Sequence, residues 1–257
     1  MLILLPPSEG KTRPAEGPPL DLDALSFPEL TKTRELLLRT LVKLCNGSAR
    51  RAAEVLELGP TQAAAIDTNA VLTEEPTAPA DAVYTGVLFS ALDLASLDDA
   101  SRARADRSLA IASGLFGLLR PGDQIPAYRM SGTVSLPRLG PVAARWRAPL
   151  PRVMLAEVGD GLLVDLRSGT YTSLGKPPSE LGDRTATMRV LHEHQGRRKI
   201  VSHFNKATKG RIVRGLLEAG AEPRDVDGLH DALRDLGWTV ERDGGRLDVV
   251  VDEVATS

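Results

Sequence analysis

SGLFGLLRPGDQIPAYRM, from Ser113 to Met130, decides how the rest of the chain is read. It follows Leu109-Ala110-Ile111-Ala112, an apolar run bounded by turn formers, which reads as a short buried strand. Gly114 and Gly117 leave little side chain beside the backbone, so a ligand or another segment can approach closely. Arg120, Asp123, Tyr128 and Arg129 then set charge and hydrogen-bonding groups just past the strand's carboxyl end. In open α/β sheets that is where ligand crevices form. Pro121 and Pro126 stiffen the loop and pre-position those groups. The same residues also fit a rigid loop whose arginines pair with carboxylates, and residue chemistry alone leaves both readings open.

Two further apolar runs have the same form. Leu2 to Leu5 predicts a fully buried strand that Pro6-Pro7 ends. Ser8-Glu9-Gly10-Lys11-Thr12 follows and invites comparison with a phosphate-binding P-loop. That loop needs a glycine five positions before Gly-Lys-Thr, where Leu5 stands here, and the two prolines remove backbone donors. It is not a P-loop, though Ser8, Lys11 and Thr12 suit contact with one anion. Leu162 to Leu166 predicts the other strand. It carries Asp165, read as an arginine's partner rather than a catalytic carboxylate, and leads to Arg167-Ser168-Gly169-Thr170-Tyr171 and then Lys176.

Between these runs the chain reads as mostly helical. Ser26-Phe27-Pro28-Glu29 has the form of a capping box, and Leu30, Leu37, Leu41 and Leu44 share one helical face. Ser48 to Leu72 predicts two helices around Leu58-Gly59-Pro60, a pattern shared by helix-hairpin-helix elements and plain helical hairpins. Val83 to Gly86 reads as a short strand, Ser90 to Arg107 as one helix, and Met130 to Pro151 as loop with Trp146 as a packing anchor.

The last third concentrates positive charge. Gln195 to Arg214 holds Arg197, Arg198, Lys199, Lys206, Lys209, Arg211 and Arg214 and no carboxylate. Thr185–His192 and Lys199–Phe204 read as antiparallel strands, with a helix starting at Asn205 or Thr208. Lys206, Lys209 and Arg211 would then crowd its first turn, against the helix dipole, an arrangement that suits a bound anion. His192 and His194 share a strand face, but no third metal ligand accompanies them. A closing hairpin turns at Asp243-Gly244-Gly245.

Composition sets the outer bounds. The 257 residues carry a formal charge of -2, which excludes a uniformly basic nucleic-acid binder but not a local basic face. Cys45 is the only cysteine, so no internal disulfide and no cysteine metal cluster forms. No apolar run approaches a membrane span, and we expect a cytoplasmic protein without membrane contact or cofactor. Strands and helices alternate irregularly, which predicts a single mixed α+β domain over 1–257, a central sheet flanked by helices.

The stretch from Ser113 to Met130 resembles the signature of the YaaA family of bacterial peroxide-stress proteins. MLILLPPSEGKT at the start, VYTG at Val83 to Gly86, Trp146, VDLRSGTY at Val164 to Tyr171 and VSHFNKATKGRIV at Val201 to Val213 fit in order. Glu9 departs from the family's frequent Ala, Phe116 from a frequent Tyr, and Asn205 to Lys209 from its usual lysine-rich pattern. The resemblance implies an unusual mixed fold with a helix-hairpin-helix element, DNA binding in a positive cleft, and lowered intracellular iron during hydrogen peroxide stress. Ser8, Lys11, Arg120, Arg129, Lys176, Lys206, Lys209 and Arg211, all placed just after predicted strands, are the anion or DNA contacts expected if those ends converge on one cleft. Gly114, Gly117, Asp123 and Tyr128 become the supporting loop. An enzyme acting on a nucleotide or other phosphorylated small molecule in the same cleft is the alternative. No residue set announces a standard mechanism. The sequence points to neither an oligomeric state nor a catalytic residue.

Overall fold

Residues 1–194, 197–199 and 202–252 are described in the computed structural model. Eight strands form the central sheet: β1 (Leu2–Leu5), β2 (Leu109–Ser113), β3 (Gly117–Leu119), β4 (Leu163–Asp165), β5 (Thr185–His194), β6 (Arg197–Lys199), β7 (Thr239–Asp243) and β8 (Arg246–Asp252). Their order is β7-β8-β5-β4-β1-β2-β3, with β6 paired to β5 alone. The run β8-β5-β4-β1-β2 is parallel, whereas β3, β6 and β7 pair antiparallel. This is the expected mixed α+β architecture.

The three apolar runs read from sequence are the middle of this sheet. Every residue of β1, β2 and β4 is buried, so both faces are covered and no polar alternation is needed. The parallel pairing brings their carboxyl ends to one edge, where polar segments follow each strand.

Local structure departs from expectation at several points. Ser26 does not cap a helix. Its amide and hydroxyl both donate to Asp123 Oδ1, at 3.0 and 2.7 Å, and the main helix starts later, at Thr31–Cys45. Val83 to Gly86 is not a strand but the end of a helical turn, Ala80–Val83, and the lead into helix Val87–Leu92. That helix stops at Asp93, which takes a left-handed conformation (φ 44°). Asp98 then starts a separate helix, Asp99–Ser108, by accepting from the Ser101 amide. The proline-rich stretch after Met130 contains two helices, Val142–Trp146 and Pro149–Val158, the second entered through Pro149.

The basic segment is also rearranged. Instead of a strand to Phe204, β6 is short and the helix already runs from Ser202 to Glu218. Lys206 and Lys209 therefore lie past its first turn. Gln195 and Gly196, the tip of the expected hairpin, lie outside the described residues. Gly210 sets where this helix sits. A Cβ there would meet Leu88 O at 2.4 Å, so the helix packs directly on the backbone of Val87–Leu92.

Candidate functional site

A cleft opens at the carboxyl ends of β1 and β4. Pro6, Pro7 and Ser8 leave β1, and Leu166 and Ser168 leave β4. Thr85 and Gly86 form a second wall, and Asn205, Lys206 and Lys209 of helix Ser202–Glu218 the third. Gly86 stands at φ 110°, and a Cβ on it would meet Ser8 Oγ at 2.8 Å. The glycine thus lets the two loops close against each other. The cavity holds about 580 Å³. That is room for a nucleotide-sized ligand.

The cleft is cationic. Lys206 and Lys209 are three residues apart and share one helix face. Lys209 Nζ donates to Leu166 O at 3.3 Å. Burial lowers its pKa, and Asp165 partly opposes the shift. Neither lysine has a carboxylate within salt-bridge distance among the described residues. The only carboxylate lining the cleft among the described residues, Glu9, is held by Arg129 at 3.2 Å and by the Tyr171 hydroxyl at 3.2 Å. Burial and Glu9 push the Tyr171 pKa upward, so the phenol keeps its proton.

Beside the cleft lies a smaller recess of about 220 Å³, lined in part by Glu9, Lys11, Tyr128 and Arg129. Lys11 Nζ donates to Ser8 O at 3.0 Å and lies 4.4 Å from the Tyr128 ring centroid. Below it runs a buried hydroxyl chain. The Phe116 amide donates to Ser113 Oγ, which lies 2.7 Å from Tyr128 Oη, itself 2.8 Å from Tyr84 Oη. Burial pushes the Tyr84 pKa up to about 12 and that of Tyr128 well above its ordinary value.

The residues singled out from sequence therefore fall into separate places. Ser8, Lys206 and Lys209 line the cleft, and Lys11, Tyr128 and Arg129 line the adjoining recess. Arg120 is not in either. It pairs with Glu157, donates to Leu109 O at 2.9 Å and lies over Phe27. Asp123 accepts from Ser26 and from the Arg120 amide at 2.8 Å, which makes it a loop brace. Lys176 lines a different concavity with Arg147 and Arg152, and Arg211 is exposed and not part of the cleft wall. Gly114 and Gly117 admit another segment rather than a ligand. Cβ atoms there would meet Met130 O at 3.0 Å and the Trp146 ring at 2.8 Å, and Trp146 Nε1 donates to Gly114 O. Asp165 is the arginine partner expected, bonded twice to Arg167 at 2.8 Å.

Arg34 was not anticipated. It is completely buried and donates to Ser26 O, Phe116 O and Leu118 O at 2.7 to 2.9 Å. It thereby fixes the central signature loop. Its signal was present, because Arg34 occupies a position on the same helical face as Leu30, Leu37 and Leu41.

The remaining site expectations are quieter. Among the described residues, His192 is buried with no partner for Nε2 and no group of three metal-ligating side chains occurs; the His194 side chain lies outside them. The pair of seven-residue helices Ala49–Val55 and Ala64–Ala70 flanks Gly59, whose amide is already bonded to Gln62 Oε1. No helix among the described residues is long and apolar enough to cross a membrane.

Comparison with known proteins finds relatives over nearly the whole chain. A UPF0246 protein of Streptomyces coelicolor is 51% identical over 99% of this chain and 100% of its own. A UPF0246 protein of Corynebacterium efficiens is 43% identical over 97% of this chain and 98% of its own. One from Corynebacterium glutamicum is 39% identical over 94% and 95%. The profile of the family described as "Peroxide stress protein YaaA" matches residues 1–243. The chain belongs to the YaaA peroxide-stress family.

Proposed function

We propose that this protein binds DNA through phosphate contacts in the cleft, and so helps limit iron-dependent oxidative damage during peroxide stress. One observation carries the reading. Lys206 and Lys209 face a concave site from one helix, without a carboxylate partner among the described residues, in a chain whose net charge is -2. Lys209 is the desolvated one of the two, and a desolvated ammonium group without a counter-ion is costly unless an anion takes that place. Hydroxyls of Ser8, Thr85, Ser168 and Thr170 line the same walls and suit phosphate oxygens. None of these groups reads base edges by a paired hydrogen-bond pattern, so the binding is expected to be insensitive to sequence.

The bounded volume favours a strand or a single extruded nucleotide over an intact duplex. Protection would act at the nucleic acid rather than by storing iron. Four histidines and one cysteine are a poor iron-holding set.

Equilibrium binding to fluorescein-labelled single-stranded, duplex and junction DNA at low salt tests this reading. Single-stranded DNA should bind most tightly, and Lys206→Ala with Lys209→Ala should weaken it at least tenfold. No binding of any form would remove the DNA reading. The same cavity size supports the second reading, an enzyme for a phosphorylated small molecule. Saturable thermal stabilisation by a mononucleotide without DNA binding would favour it.

A further inference from the structure

We propose that Lys11 is an imine-forming amine that captures an aldehyde carried on a phosphorylated sugar. The placement of the amine carries the idea. The backbone around Lys11 is pinned to the neighbouring loop, with the Thr12 amide donating to Val83 O at 2.9 Å and the Thr85 amide to Gly10 O at 3.2 Å. The side chain then runs over the faces of Tyr128 and Tyr84, with Nζ 4.4 and 5.3 Å from the ring centroids. Among the described residues only one protein acceptor meets its donors, Ser8 O. Among the described residues no carboxylate lies within salt-bridge distance, because Glu9 is engaged by Arg129 and Tyr171.

A lysine whose role is structural is ordinarily solvated or paired. This one is half-buried over two tyrosine rings, has no carboxylate partner among the described residues, and faces a recess. Burial lowers its pKa to about 8, although Glu9 works in the other direction. At neutral pH roughly a tenth of the amine is then unprotonated, against well under a hundredth for a free lysine. Such a desolvated lysine is suited to Schiff-base formation.

Glu9 lines both the recess and the cleft. The recess that Lys11 faces thus adjoins the cationic cleft of Lys206 and Lys209, which suits an aldehyde carried on a phosphorylated group. The chemistry balances without any further reagent. The Nζ lone pair forms the C–N bond, and the carbonyl π pair moves to oxygen. A proton passes from nitrogen to that oxygen. Loss of water then leaves the imine. No oxidant or reductant takes part.

The inference rests on the proposed function for one source of the aldehyde, the opened deoxyribose of a damaged DNA strand. A small sugar phosphate is the other source. The test separates the two. The full-length protein is incubated with sodium borohydride and either a single-stranded oligonucleotide bearing one abasic site or glyceraldehyde 3-phosphate. Binding of the undamaged oligonucleotide is measured in parallel, and the reduced adduct is mapped by peptide mass spectrometry. We expect the adduct on Lys11, a rate that levels off near pH 8, and at least a tenfold loss of adduct in Lys11→Arg. Mapping on the unmodified chain keeps the test valid if that variant folds poorly. Labelling of Lys206, Lys209 or the exposed lysines instead of Lys11 overturns the proposal. So does undamaged oligonucleotide binding with no adduct from either aldehyde, and the DNA reading then survives alone. An adduct on Lys11 from glyceraldehyde 3-phosphate, with no oligonucleotide binding, upholds the amine and removes the DNA reading.

Discussion

Arg167 and Lys209 approach the same strand end, the one where β4 stops, and they are held in opposite ways. Arg167 is buried and satisfied on every side: Asp165 takes two of its donors, and Gly175 O and Tyr171 O accept further bonds at 3.0 and 3.3 Å. Lys209 has a single bond to Leu166 O and otherwise faces open cleft. Arg34 belongs with Arg167, since Nε and Nη2 make three bonds to backbone carbonyls and Nη1 alone lacks an acceptor among the described residues, and Lys11 belongs with Lys209. A buried cation held by several fixed acceptors is a strut. A buried cation with donors to spare, facing a cavity, is a place for a ligand.

That distinction orders the expected effects of substitution. Arg167→Ala should be the most damaging, because it leaves Asp165 as an unpaired buried carboxylate. A loss of about 3–5 kcal/mol in urea unfolding is expected. Arg34→Ala comes next, at about 2–4 kcal/mol, since three loop carbonyls lose their shared donor. Either variant melting like the unmodified protein would break the strut interpretation. Lys11→Met should instead stabilise the fold at pH 7, by about 1 kcal/mol, while abolishing imine trapping.

The sign of that last effect follows from linkage. The folded amine has a pKa near 8, below the ordinary 10.5. Between those values the unfolded chain binds more protons, so the stability of the unmodified protein rises with pH through that window. The advantage of Lys11→Met should therefore shrink from pH 8 to pH 10.5 in a thermal-melt series. A constant advantage would mean that the cause is packing, not charge. The smallest effect belongs to Lys176→Ala, within about 0.5 kcal/mol of the unmodified protein, since this exposed lysine makes no described contact.

How far the sequence could be read depends on the same contrast. The buried strands β1, β2 and β4 were legible because apolar runs between turn formers have few alternatives once they are covered on both faces. Helix boundaries around Asp93 and Ser202 were not. They depend on a left-handed aspartate and on the packing of Gly210 against Leu88, which no local pattern announces. The basic segment was visible as composition, yet composition does not show pairing. Arg198 is taken by Glu193 and Glu241, and Arg214 by Glu218, leaving Lys206 and Lys209 for the cleft. Likewise Arg120 and Arg129 stand in one motif, but tertiary contacts send one to Glu157 and the other to Glu9. Two arginines of one motif can thus serve a brace and a site.

The most direct test is the salt dependence of single-stranded DNA binding, compared between two cationic concavities of this one molecule. Each phosphate contact contributes about -0.7 to the slope of log affinity against log salt concentration. Lys206→Ala with Lys209→Ala should flatten the slope by about 1.4, two contacts' worth. Arg147→Ala, Arg152→Ala and Lys176→Ala together, in the other concavity, should leave it unchanged. An unchanged slope in the cleft variant, or a flattened one in the other, would contradict the assignment of the phosphate site to the ends of β1 and β4.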